Sequence, residues 1–123
     1  MERFQSTLPL YGISQMLDIE VMKNLVEQEI KKRNFDSLHY VLFDETKRLP
    51  WAFHLYQKNG KFYVDGRDDR SYVMGRTVEF DDFNEAEDFF INKLEHFVES
   101  NKKGLKVGFI PYYSSPLWDK ADD

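Results

Sequence analysis

A histidine and an aspartate in the middle of the chain have the residue types and the spacing of a general-base pair. The stretch WAFHLYQKNGKFYVDG contains Asn59-Gly60, the preferred dipeptide for a two-residue type I′ hairpin because both turn positions need a positive φ. With that turn, His54 lies opposite Asp65 on the neighbouring strand. A carboxylate that orients an imidazole is the core of general-base catalysis. No nucleophile is implied nearby, because the two serines near the C-terminus lie in no strand–turn–helix elbow. We therefore favour a solvent-facing cross-strand pair and expect no catalytic residue.

The turn DGRDDR (residues 65–70) gathers carboxylates near a glycine, which could suggest a calcium site. The spacing of an EF-hand loop is absent, and Arg67 and Arg70 would repel a cation. His39 and His96 have no spacing that pairs them as ligands, and the chain has no cysteine. The six glycines are isolated, without a G-x-G-x-x-G or Walker A pattern. We therefore expect no metal site and no cofactor.

Aromatic and acidic side chains supply a different chemistry, because tyrosine and tryptophan are enriched in protein interfaces. The hairpin register predicts that one face of its two strands is wet and aromatic, and that the other face belongs to the core. In the C-terminal stretch PYYSSPLWDK, we expect Tyr112 and Tyr113 to pack on the domain and Trp118 to be shared with a partner. The residues predicted to contact a partner are His54, Tyr56, Tyr63, Asp65, Asp68, Asp69 and Trp118.

Two segments that flank these residues have the apolar periodicity of amphipathic helices. Residues 14–34 repeat apolar side chains at three- or four-residue steps, with Ser14 as the expected N-cap and basic residues in the last turn. Residues 80–104 carry a second apolar stripe, with Asp82 as the expected N-cap and Gly104 as the end. Both segments are therefore predicted helices.

The segments between and after the helices are rich in β-forming residues. Strands are predicted over residues 37–45, on both sides of Asn59-Gly60, and over residues 72–80, with a short further strand at residues 105–110. Long-range alternation of strand and helix is missing, which favours an α+β fold. We predict an antiparallel sheet of four to five strands, with the N-terminal and C-terminal helices packed on one face.

The composition describes a single acidic domain of 123 residues with a formal charge of −5. Ten acidic and four basic residues lie between Asp65 and Glu95. The formal charge argues against nucleic acid as a partner, because affinity for nucleic acid comes largely from Lys and Arg, and it permits a basic protein partner. No window approaches the roughly 20 apolar residues of a membrane span, and no signal-peptide pattern opens the chain. The lack of cysteine suits a reducing cytoplasm, so we expect a cytoplasmic protein.

Three stretches together resemble a known group of proteins. They are WAFHLYQKNGKFYV, VEFDDFNEAEDFFINKLEHF and GFIPYYSSPLWD. In this combination the chain resembles the small cytoplasmic immunity proteins of bacterial polymorphic toxin systems, over roughly Leu49 to Asp119. The resemblance implies one immunity-protein-like domain, residues 1–123, that protects the producing cell in bacterial competition. Protection would come from tight, non-enzymatic binding of one cognate toxin domain, and many such toxins are nucleases with basic clefts.

Two alternative classes of function remain open. One is a small hydrolase that uses His54 and Asp65, and the other is a regulatory module that binds an unrelated protein. A pocket that converges on His54 with a second polar group would favour the hydrolase. A broad acidic face with exposed tyrosines would favour binding, by a monomer or a weak dimer.

Overall fold

The computed structural model describes residues 11–119, with side chains from residue 19 onward. Its helices and strands follow one another in a simple order. They are helix α1 (Tyr11–Lys32), strands β1 (Tyr40–Leu42), β2 (Phe53–Lys58), β3 (Lys61–Arg67) and β4 (Val73–Phe80), helix α2 (Phe83–Lys106) and the short helix α3 (Pro116–Asp119).

The four strands form one sheet in the order β1-β2-β3-β4. Strand β1 pairs with β2 in parallel, whereas the pairs β2–β3 and β3–β4 are antiparallel. The fold is therefore α+β, as predicted, but the sheet is mixed rather than purely antiparallel. The reason lies in the loop over residues 43–52. It carries the chain back along the sheet, so that β2 starts at the same end as β1.

The hairpin of β2 and β3 has the register predicted from its turn. His54 lies opposite Asp65, and Tyr56 lies opposite Tyr63. Asn59-Gly60 has φ values of 54° and 79°, which are the left-handed conformations that a type I′ turn requires. Local turn chemistry thus fixes which side chains share a face.

Helix α1 differs from its prediction at its start. It includes Tyr11, so Ser14 lies inside the helix and is not its N-cap. The predicted apolar stripe is present further along, where Val26 and Ile30 are fully buried. Met16 belongs to the same predicted stripe, but its side chain lies outside the described residues. Helix α1 packs against α2.

Helix α2 begins as predicted and ends later than predicted. The Asp82 carboxylate accepts a hydrogen bond from the Glu85 N–H at 3.1 Å, which makes Asp82 the N-cap. The helix continues through Gly104 to Lys106. The predicted strand at residues 105–110 is therefore wrong. These residues form the last helical turn and a loop, in which Gly108 takes a φ of 96° and reverses the chain.

The hydrophobic core lies between α2 and the sheet. Helix α2 packs on strands β2, β3 and β4, and the Phe53 ring meets the Phe97 ring edge-on at 5.6 Å between centroids. Side chains alternate along a strand, so Leu55 also points toward α2, whereas His54 and Tyr56 point to the opposite face. We call this opposite face the outer face of the sheet. It carries the candidate site.

Candidate partner-binding face

Two tyrosines mark the centre of the outer face. Tyr56 on β2 and Tyr63 on β3 are cross-strand neighbours with ring centroids 5.5 Å apart, and both are half-buried. The Tyr56 hydroxyl donates a hydrogen bond to Asp65 Oδ2 at 2.9 Å. Burial and this carboxylate raise the pKa of Tyr56 to about 12. The ring is therefore neutral and held in one orientation.

The Asp65 carboxylate that accepts this hydrogen bond is fully buried. Arg67 binds it through two nitrogens, with Nε at 2.6 Å from Oδ1 and Nη2 at 3.3 Å from Oδ2. Arg67 reaches it because residues two apart on a strand share a face. A buried charge needs such a partner. The prediction of a solvent-facing Asp65 is wrong, because Arg67 covers it.

His54 is also buried, with only 1% of its surface exposed. Its pKa is lowered to about 4, chiefly by burial and then by Arg67, against the opposing charges of Asp65 and Asp44. Its Nε2 has no hydrogen-bond partner among the described residues. The imidazole is therefore neutral at pH 7, and it is not the solvent-facing side chain that the sequence predicts.

The register brings His54 and Asp65 opposite each other without joining them. The hydrogen bonds to the Asp65 carboxylate come from Tyr56 and Arg67. Within the described part of the chain, no hydrogen bond links that carboxylate to the imidazole. The geometry of an oriented general base is thus not formed, and the hydrolase interpretation loses its support.

The turn that follows β3 presents the two other predicted acidic residues. Asp68 Oδ1 accepts hydrogen bonds from the backbone N–H groups of Arg70 at 2.8 Å and Tyr72 at 3.0 Å, which closes the turn. Asp69 is exposed. Asp69 therefore offers its carboxylate to solvent, while Asp68 also has a structural role.

A shallow depression of about 400 Å³ lies on the outer face next to the two tyrosines. Its lining is formed by Glu45, Tyr56, Lys58, Tyr63, Arg67 and Thr77. Four of these residues are additions to the predicted set. Arg67 and Lys58 could have been found by counting two residues along a strand from Asp65 and Tyr56. The loop residue Glu45 and Thr77 of β4 reach the face only through the tertiary fold.

Trp118, the seventh predicted contact residue, is part of the core. Only 1% of its surface is exposed, and its indole Nε1 donates to the Tyr113 carbonyl at 3.1 Å. The Tyr113 ring in turn stacks on the His39 ring, with centroids 3.7 Å apart. The Tyr113 hydroxyl accepts a hydrogen bond from the backbone N–H of His39 at 3.0 Å. The C-terminal segment (residues 111–119) is therefore an ordered return onto the domain. Trp118 does not lie at a surface edge.

Tyr112 and Tyr113 have different environments, although both were expected to pack on the domain. Tyr113 is packed, as expected. Tyr112 leaves 59% of its surface exposed and stacks one ring face on Trp51 at 3.8 Å. The neighbouring tyrosines thus divide between the core and the surface.

The family model described as "Immunity protein 59" matches residues 19–119, a range that includes the whole sheet and α2. The chain belongs to this immunity protein family. The resemblance to toxin immunity proteins is confirmed, and the family supports an immunity function. No curated protein and no solved structure gave a significant match.

Two further properties concern the described residues alone. They contain no cluster of three or more acidic or histidine side chains that could hold a metal ion. None of their helices has the length and apolar character that crossing a membrane requires.

Proposed function

We propose that this member of the immunity protein 59 family neutralises a cognate toxin domain by binding it directly, without catalysis, in the cytoplasm of the producing bacterium. Family membership over residues 19–119 carries the proposal. The absence of a His54–Asp65 hydrogen bond within the described residues supports a non-catalytic role. A basic nuclease domain is the kind of toxin that fits the acidic chain best.

The outer face supplies the contacts in this proposal. Half-buried Tyr56 and Tyr63 present large ring surfaces at small entropic cost, and such aromatic residues supply much of the affinity at protein interfaces. Asp68 and Asp69 stand at the end of the same hairpin and would attract a basic partner. Long-range attraction of this kind chiefly raises the association rate.

The buried members of the predicted set have a supporting role in the proposal. Asp65, which Arg67 holds, accepts the hydrogen bond of the Tyr56 hydroxyl, and the buried His54 lies on the same face of the strand pair. Trp118 anchors the C-terminal segment. A partner would contact His54 or Trp118 only after displacing the side chains that cover them.

Co-expression with the toxin domain encoded next to this protein tests the proposal. Cells that carry the toxin domain alone should stop growing, and cells that carry both proteins should grow. An unrelated toxin should still kill the protected cells, which controls for general stress resistance. The two purified proteins should also elute as one complex from a size-exclusion column. Death of the co-expressing cells, or survival without a complex, would contradict neutralisation by binding.

A further inference from the structure

Strand β4 is an exposed edge of the sheet, and its pairing with β3 is interrupted. Val64 pairs with Val78, and Gly66 pairs with Met74, so that residues 75–77 lie opposite the single residue between Val64 and Gly66. Gly75 adopts a φ of 79°, which favours glycine. A bulge of this kind disrupts the row of hydrogen-bonding groups that another strand would need. The edge is therefore poorly suited to adding a strand from a partner.

The same bulge opens a cavity of about 700 Å³ between β4 and α2. The apolar part of its lining is formed by the buried Val64 and the half-buried Phe53, Val78 and Phe89. Met74 also lines the cavity and leaves 49% of its surface exposed. Exposed apolar surface around an open cavity marks binding sites on soluble proteins. The cavity has room for a large apolar side chain.

Two cations complete the lining. Arg76 and Lys93 are exposed, and neither forms a salt bridge within residues 19–119. Lys93 Nζ lies 5.2 Å from the centroid of the Phe89 ring, directly over the apolar lining. Asp65 also borders the cavity, but its carboxylate is bound by Arg67. An acidic group next to an apolar one would therefore meet positive charge here that no acidic side chain of residues 19–119 pairs.

We propose that this cavity receives an apolar side chain of the toxin, flanked by an acidic residue, with Arg76 and Lys93 as its ion-pair partners. The inference rests on the proposed function and adds a second contact region to it. Both regions meet along β4, because Thr77 lines the depression on the outer face while Arg76 and Val78 line the cavity. A partner seated on β4 reaches both regions.

Charge reversal distinguishes ion pairs at the cavity from long-range attraction by the net charge of the protein. The double variant Arg76→Glu/Lys93→Glu should raise the Kd for the purified toxin domain at least tenfold. The control Lys102→Glu/Lys103→Glu makes the same change in net charge near the end of α2 and should stay within about twofold of wild type. If overall charge governed binding to a basic toxin, both variants would bind more tightly. That result, or an unchanged Kd for the first variant, would overturn the inference.

A fluorescent label at the cavity gives a second measurement that does not depend on charge. The chain has no cysteine, so Met74→Cys places one environment-sensitive dye at the cavity and Ser100→Cys places one on the exposed side of α2. Addition of toxin should shift the emission of the first dye and leave the second unchanged. A silent dye at position 74 in a formed complex overturns the inference. So does an emission shift that rises with the concentration of this protein alone, because a second copy would then be the occupant.

The two proposals fail in different ways. If wild type neither binds nor protects against the toxin, the proposed function fails, and the cavity contact fails with it. If wild type protects, while the charge-reversed variant binds equally well and the dye at position 74 stays silent, only the cavity contact is lost.

Discussion

His54 and Asp65 show how one neighbouring residue decides the chemistry of a pair. The hairpin turn places them opposite each other, but Arg67 binds the carboxylate from two positions along the same strand. The imidazole is left buried and neutral, with a pKa lowered to about 4. Hairpin register follows from the local sequence. Which side chain hydrogen-bonds to a buried carboxylate depends on side-chain geometry, and the spacing of residues in the sequence does not determine that geometry.

The buried imidazole predicts a dependence of stability on pH. In the unfolded state His54 binds a proton near pH 6.5, whereas in the folded state it does so only near pH 4. The contribution of the neutral imidazole to the free energy of unfolding is therefore fully present above pH 6.5 and is lost as the pH falls toward 4. The loss should reach about 3 kcal/mol. Urea unfolding at several pH values measures it. His54→Leu should show a weaker dependence in this window, and the exposed His96→Gln should behave as wild type. Parallel curves for His54→Leu and wild type would contradict the assignment.

Asp69 predicts a dependence of binding on salt. Asp69→Lys should slow association with a basic toxin several-fold at low ionic strength, because the exposed carboxylate contributes to long-range attraction. The difference should shrink as added salt screens the charge. Stopped-flow measurements across salt concentrations test this. Glu99→Lys on α2 is the matched control. Equal salt slopes for the two variants would remove Asp69 from the proposed contact.

At the scale of elements, the sequence predicts best where the signal is local. The Asn59-Gly60 turn and the Asp82 cap are both confirmed, because each depends on residues within one turn of chain. The parallel pairing of β1 with β2 depends on the path of the loop over residues 43–52. Hydrophobic periodicity does not predict the path of a loop. The segment at residues 105–110 has β-forming composition, but the positive φ of Gly108 ends α2 there instead.

The Asp82 cap gives a prediction about α2. Asp82→Ala should lower the free energy of unfolding by about 1 kcal/mol, because the Glu85 N–H loses its acceptor. Asp82→Asn keeps a good acceptor and removes the charge, so it should cost much less. Chemical denaturation followed by circular dichroism compares the two variants. Equal losses would assign the effect to the charge near the helix dipole rather than to the hydrogen bond.

At the scale of the whole molecule, the C-terminal segment unites distant parts of the chain. Trp118 contacts the Phe97 ring of α2 edge-on, with centroids 5.7 Å apart, and Ser115 Oγ lies 2.8 Å from Ser37 Oγ. The aromatic composition of the segment predicts that something must cover it. Which rings become core is settled only by the tertiary fold, so the sequence alone predicts Trp118 to be shared with a partner.

The burial of Trp118 predicts a large effect on stability. Trp118→Ala should lower the free energy of unfolding by about 3–5 kcal/mol, because it removes a fully buried ring. Tyr112→Ala removes an exposed ring that only stacks on Trp51, and it should cost less than about 1.5 kcal/mol. Urea denaturation followed by circular dichroism measures both. A Trp118→Ala protein with unchanged stability and lost toxin binding would return Trp118 to the interface.

The contacts of the C-terminal segment also set the point in synthesis at which the described domain can close. Ser37 and Ser115 are 78 residues apart, and His39 and Tyr113 are 74 apart. Contacts this distant along the chain form late and slow the folding of a domain. A ribosome releases the N-terminal side of each pair first, so the hydrogen bonds of Ser37 and His39 to this segment wait until residues 113–115 have been released. A nascent chain stalled before Tyr113 would lack them, so the domain could close only after its C-terminal segment has been synthesised.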